Sequence, residues 1–153
     1  MQEIERKFLV KQMPPGLDPA QAAVIDQGYV VPGEGGVEVR LRRKGAKHEL
    51  TIKRKSRENH IEREEHNVPL TPEQWAELWP LTAGRRLRKD RYEIPYGELV
   101  IELDIYRGRN EGLAVAEVEF GSMAAAEGFA PAEWFGREVT GEAAYSNPLL
   151  AIE

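Results

Sequence analysis

Residues 36–55 read GVEVRLRRKGAKHELTIKRK. Arg40 and Arg42 flank Leu41, which shares its apolar face with Val39; beyond the GAK link at 45–47, Thr51 and Lys53 flank Ile52. Alternation with period 2 marks a strand, where residues i, i+2 and i+4 stand on one face. Two such runs joined by a short glycine-containing link read as antiparallel neighbours. The same pattern opens the chain: MQEIERKFLV sets Glu3, Glu5 and Lys7 side by side, with Ile4 between the two acids. Like charges that close repel unless something positive sits between them.

Working outward, EIERKFLV, AVIDQGYVV, GVEVRLRRK, HELTIKRK, HIEREEHNV, LRKDRYEI, LVIELDIY and LAVAEVEF all read as strands. PGEGG, GAK, PYGE and RGRNEG supply turns, and these short links predict an antiparallel meander. Helices are few. TPEQWAELW has Thr71 as N-cap, Pro72 at the first helical position and early Glu73, with Trp75, Leu78 and Trp79 as core. SMAAAEGF reads as a second helix capped by Ser122, and TGEAAYSNPLLAIE as a last one broken near Asn147-Pro148. With no repeat or linker, residues 1–153 are expected to form one domain: α+β, mainly β, best read as an antiparallel barrel with a few short helices.

Composition narrows the chemistry. Hydrophobic residues make up 41% and charged residues 31%, with a net charge of −5 that argues against nucleic acid as a partner. There is no cysteine and there are three scattered histidines, so any metal is expected to be oxygen-bound: Mg²⁺, Mn²⁺ or Ca²⁺. Neither a signal peptide nor a long apolar run is visible, which makes the cytoplasm the expected location and a membrane an unexpected partner.

The charges are sorted by sign. Arg40/Arg42, Thr51/Lys53 and Lys89/Arg91 are cationic or polar pairs; Glu102/Asp104 and Glu117/Glu119 are acidic, and Arg63/Glu65 is mixed. Periodicity says which residues share a face, not whether that face looks out or in, and a solvated face gives the same alternation. A solvent face, however, usually mixes Lys with Glu across strands. Closing the sheet with its charged face inward satisfies both groups: a cationic wall would clamp a polyphosphate, and an acidic wall would hold divalent cations bridging to it.

EIERKF resembles the Glu-x-Glu-x-Lys signature of the CYTH superfamily, the triphosphate tunnel metalloenzymes. The likeness continues through QGYV (27–30), VRLR (39–42), LTIK (50–53), KDRY (89–92), ELD (102–104), GLAVAEVEF (112–120) and EVTGEAAYSN (138–147). The resemblance implies a closed eight-stranded antiparallel β tunnel that hydrolyses a triphosphate with Mg²⁺ or Mn²⁺. Short bacterial members are inorganic triphosphatases acting on tripolyphosphate, with nucleoside triphosphates as weaker substrates. Lys7, Arg40, Arg42, Lys53, Arg63, Lys89 and Arg91 would then bind phosphate. Glu3, Glu5, Glu65, Glu117 and Glu119 would bind metal, with Glu102 and Asp104 assisting. Catalytic roles would fall on Glu5 and on Lys53 or Lys89, either of which could protonate the leaving phosphate. The family's Arg-x-Glu-x-Glu strand is broken, because Asn67 stands at its second acid.

No Ser-His-Asp or Cys-His set is visible, so direct attack by water fits better than a covalent intermediate. Thiamine triphosphate hydrolysis, ATP cyclisation, a binding module without catalysis and a structural barrel remain the alternatives, as monomer or homodimer. A helix around Pro148–Ile152 could plug one end of a tunnel, with Tyr145 packing or hydrogen bonding near that mouth. HIEREEH lacks zincin spacing, GEGG lacks the P-loop ending, and RGRNEG and RKSRENH read as solvated loops.

Overall fold

A computed structural model describes residues 2–56, 58 and 61–153. Eight strands close on themselves: β1 (Gln2–Val10), β2 (Ala23–Pro32), β3 (Val37–Lys44), β4 (Lys47–Lys55), β5 (Glu62–Pro69), β6 (Arg86–Tyr96), β7 (Leu99–Tyr106) and β8 (Ala114–Phe120). Their order around the barrel is β5-β4-β3-β2-β6-β7-β8-β1, and β1 pairs back with β5. The seam is in register at Glu3↔Arg63 on one side of β1 and at Glu5↔Glu119 and Lys7↔Glu117 on the other. The seam is short, three residue pairs from Gln2↔Glu64 to Ile4↔Glu62, so closure covers the start of the β5 edge. The expected meander holds within β2–β5 and within β6–β8. The links from β1 to β2 and from β5 to β6 instead join strands that are not neighbours.

A ninth strand, β9 (Phe135–Glu138), was not visible in the sequence. It pairs with the end of β1 where β5 leaves off, at Phe8↔Glu138 and Val10↔Phe135. Four residues without strict alternation carry too little periodic signal to be read as a strand.

Outward and inward residues alternate along the strands, with a bulge in β2 between Tyr29 and Val31, and the main apolar core lies outside the barrel. Phe8, Ile101, Val118 and Phe120 face out from β1, β7 and β8 and are buried under Ala126, Phe129 and Phe135. Phe8 and Phe135 rings sit 4.9 Å apart, and Phe120 meets Phe129 edge-on at 5.2 Å. The covering helix α2 (Met123–Glu127) starts where Ser122 Oγ accepts from the Ala125 amide, as expected. On the opposite outer face, α1 (Pro72–Leu78) begins at Thr71 in a full capping box with Gln74. Its Trp75 stacks on Trp79 at 4.7 Å.

A second cluster closes one end of the barrel. Tyr29, Leu87, Tyr106 and Val115 point inward there and pack on Ala151 and Leu150 of the C-terminal segment. The last helix, α3 (Asn147–Leu150), starts at the Asn-Pro step rather than breaking there, because proline fits the first turn of a helix. The side chain of Tyr145 is half-buried, with the Arg137 guanidinium 5.7 Å over its ring. Of the histidines in HIEREEH, His66 sits on the outer face 3.0 Å from Glu64, while His60, with Arg57 and Asn59 of the RKSRENH loop, lies outside the described residues. Among the described residues, no helix is long and apolar enough to cross a membrane.

Gly28 shows how tightly the outer layer meets the barrel. A Cβ there would lie 2.6 Å from both Cβ and Oγ1 of Thr82 and 3.0 Å from the Trp79 ring. Gly28→Ala is therefore expected to cost about 1–3 kcal/mol of stability, seen as a lower thermal midpoint; an unchanged midpoint would contradict this close approach.

Candidate active site

The inward face of the strands lines a cavity of about 250 Å³. It gathers Glu3, Glu5 and Lys7 from β1, Arg40 and Arg42 from β3, Lys53 from β4, Arg63 and Glu65 from β5, Lys89 and Arg91 from β6, Glu102 from β7, and Glu117 and Glu119 from β8. The charged alternation thus looks in. Only Asp104, among the residues expected at the site, is not on the lining.

Sheet order explains the two walls. β7, β8 and β1 are neighbours, and across them Glu102 stands opposite Glu117, and Glu5 opposite Glu119. Like charges directly opposite destabilise a sheet, and burial adds to the effect. Burial, then Glu117, pushes Glu5 up to about 7; burial and contact with Glu65 push Glu3 up to about 7. Glu102 and Glu119 are also raised, again chiefly by burial with neighbouring acids. Glu65 moves down despite its burial, through its hydrogen bond to Glu3 and the nearby Lys53 and Arg40, so a proton shared by that pair rests on Glu3.

Ion pairs join the walls: Lys53 to Glu3 at 3.2 Å, Lys7 to Glu117 at 3.5 Å and Arg63 to Glu5 at 3.8 Å. Lys7, Lys89 and Arg91 hold Glu117 far below the usual carboxylate range although burial opposes this. Among the described residues, no three His, Cys, Asp or Glu side chains converge as a finished metal site. The donor set is nevertheless all oxygen, crowded and like-charged, with Glu3 and Glu65 in a contact that needs a proton or cation between them. That chemistry fits a hard divalent ion.

The cationic side is crowded too. Burial, with Arg40 and Arg91 beside it, brings Arg42 down to about 10. Arg40 is 4% exposed, yet among the described residues its Nε has no partner and its Nη2 meets only the hydroxyl of Thr51, at 3.3 Å. Asn67, in place of the second acid of its strand, accepts from that same hydroxyl at 2.7 Å.

Asp104 is a counterion rather than a wall residue. Wholly buried, it accepts from Nε and Nη2 of Arg91 at 2.7 and 2.9 Å and pairs with Lys89 Nζ at 2.8 Å. Both oxygens are engaged by Lys89 and Arg91, and the carboxylate lies off the cavity lining. Burial brings Lys89 down to about 8, with Asp104 opposing that shift. Tyr29, Glu38, Ser146, Asn147 and Pro148 also line the cavity. Glu38 was legible, since it continues the 40/42 alternation; the other four depend on tertiary placement.

The CYTH domain pattern matches residues 1–140, and the chain belongs to the CYTH domain family. It is similar to an inorganic triphosphatase of Nitrosomonas europaea, at 41% identity over 99% of this chain and 98% of that protein. An inorganic triphosphatase of Acetivibrio thermocellus is 31% identical over 97% and 92% of the two chains. A crystal structure of an inorganic triphosphatase superposes with a TM-score of 0.69 at 37% identity, over 99% of this chain and 95% of that one.

Removing the charge of Asp104 leaves Lys89 and Arg91 buried with too little compensation. Asp104→Asn is expected to lose about 3–5 kcal/mol of stability in a denaturant melt; a loss below about 1 kcal/mol would show that the pair is not truly desolvated.

Proposed function

We propose that residues 1–153 act as one tunnel domain that hydrolyses inorganic tripolyphosphate to pyrophosphate and phosphate with Mg²⁺ or Mn²⁺. The observation that carries this reading is Arg40: a buried guanidinium, short of partners among the described residues and beside Arg42. A protein keeps so costly an arrangement when an anion completes it. The shared family and the named activity of the similar proteins support the choice of a triphosphate.

Lys7, Arg40, Arg42, Lys53, Arg63, Lys89 and Arg91 bind the phosphate oxygens, and Glu3, Glu5, Glu65, Glu102, Glu117 and Glu119 would hold the divalent ion. When bound, the ion would screen phosphate charge and lower the pKa of coordinated water. To take both ligands, Lys53, Arg63 and Lys7 turn from their carboxylates to phosphate. Water attacks the terminal phosphorus in line with the bridging oxygen; that P–O bond breaks and its electron pair leaves with pyrophosphate. The water proton passes to the carboxylate wall. Lys89 protonates the leaving oxygen, because its lowered pKa of about 8 makes it a better acid than an ordinary lysine. Asp104 fixes Lys89 and Arg91 in place for this work.

The test is phosphate release from tripolyphosphate, ATP and thiamine triphosphate with Mg²⁺, Mn²⁺ or EDTA, for the native chain and Arg40→Met. Metal-dependent release fastest from tripolyphosphate is expected, with a roughly 10²-fold or larger loss in the variant. The thermal midpoint of Arg40→Met is followed alongside, so that lost activity in a folded variant is told apart from unfolding. Release that ignores EDTA, or a fully active variant, would overturn the proposal; silence on all substrates would favour a binding module.

A further inference from the structure

The RGRNEG turn does more than face solvent. In the short turn Gly108–Asn110, Arg109 Nη2 donates to the backbone oxygens of Ala151 at 3.1 Å, Ile152 at 3.3 Å and Leu150 at 3.4 Å. The same nitrogen lies 3.3 Å from the Arg86 oxygen, and Nη1 lies 3.6 Å from Glu153. Asn110 Nδ2 donates to Leu150 O at 2.8 Å. These carbonyls end α3, whose four residues are too few to hold themselves as a helix. A guanidinium at that end supplies the missing donors and the favourable charge.

The other side of the same segment forms the closed end of the tunnel. Ser146, Asn147 and Pro148 line the cavity, and Tyr106 Oη donates to Asn147 Oδ1. Lys7 Nζ reaches the Tyr145 oxygen at 3.1 Å, and Ala151 is fully buried against Tyr29, Leu87 and Val115. The inner wall at this end is therefore held in part by a clamp on the outer surface.

We propose that Arg109 and Asn110 are positioning residues that hold the C-terminal segment across the tunnel and so restrict its occupant to short linear polyphosphates. Neither residue lines the cavity, so they act through Asn147 and Pro148. This rests on the triphosphatase reading above and adds a limit on chain length. With the clamp gone, the segment lifts, the barrel opens at both ends, and chains of four or more phosphates can lie through it.

The experiment compares the native chain, Arg109→Lys, and the double variant Arg109→Ala/Asn110→Ala on tripolyphosphate, tetrapolyphosphate and a longer linear polyphosphate. Amide hydrogen exchange over residues 147–153 is followed in parallel. In the double variant, kcat/KM on the longer chains relative to tripolyphosphate is expected to rise by roughly tenfold, about the effect of one charge-assisted hydrogen bond. Exchange over 147–153 should speed up, and Arg109→Lys should keep the native ratio. An unchanged ratio with faster exchange, unchanged exchange, or an equal fall on all chains would each overturn the clamp. A native chain that releases no phosphate from tripolyphosphate would overturn the functional reading, and the chain-length limit with it.

Discussion

Charge balance inside a closed barrel is the constraint on which this structure depends. Among the described residues, the cavity lining carries seven carboxyl groups, Glu3, Glu5, Glu38, Glu65, Glu102, Glu117 and Glu119, and seven basic groups, Lys7, Arg40, Arg42, Lys53, Arg63, Lys89 and Arg91. Groups of either sign alone could not be buried together, because the desolvation cost would have no compensation. The ion pairs between walls answer that cost, and Asp104 adds a further negative charge behind Lys89 and Arg91. A polyanion entering such a lining upsets the balance unless cations enter with it. Under the proposed function, neutrality would couple phosphate binding to metal binding without any further device.

With the interior given over to charge, hydrophobic stabilisation has moved outward and to one end. Phe8, Phe120, Phe129 and Phe135 make a core between the barrel and its covering segment, and α1 places Trp75 and Trp79 on the other flank. These layers hold the strands in register, so that side chains in the cavity need not contribute packing. At the closed end, Tyr29, Leu87, Tyr106 and Val115 are inward residues that have become apolar, and the C-terminal segment completes that cluster. The tunnel thus has a polar, open stretch and an apolar, closed one.

Much of this was legible because a strand's period of 2 is strict. Glu3, Glu5 and Lys7, or Arg40 and Arg42, could be assigned to one face from spacing alone, and sorting by sign suggested that the face looks inward. Three features escaped. β9 is too short to show periodicity, and Ser146 to Pro148 reach the cavity only because of where α3 docks. Asp104 sits on the inward face of β7, as its spacing requires, yet lies behind Lys89 and Arg91 rather than on the lining. Spacing assigns a face; depth within the barrel depends on stagger between strands, which no single segment contains. The capping box at Thr71 has a local signal of its own, the Thr-x-x-Gln spacing to Gln74.

The most direct test is diffraction from crystals grown with tripolyphosphate and Mn²⁺, with data collected at the manganese absorption edge. The expected result is anomalous density inside the barrel, on the side of Glu3, Glu5, Glu117 and Glu119, with the phosphate chain lying against Arg40, Arg42 and Arg91. Manganese bound only on the outer surface, or a phosphate chain inside the barrel with no metal beside it, would contradict the coupling of the two walls.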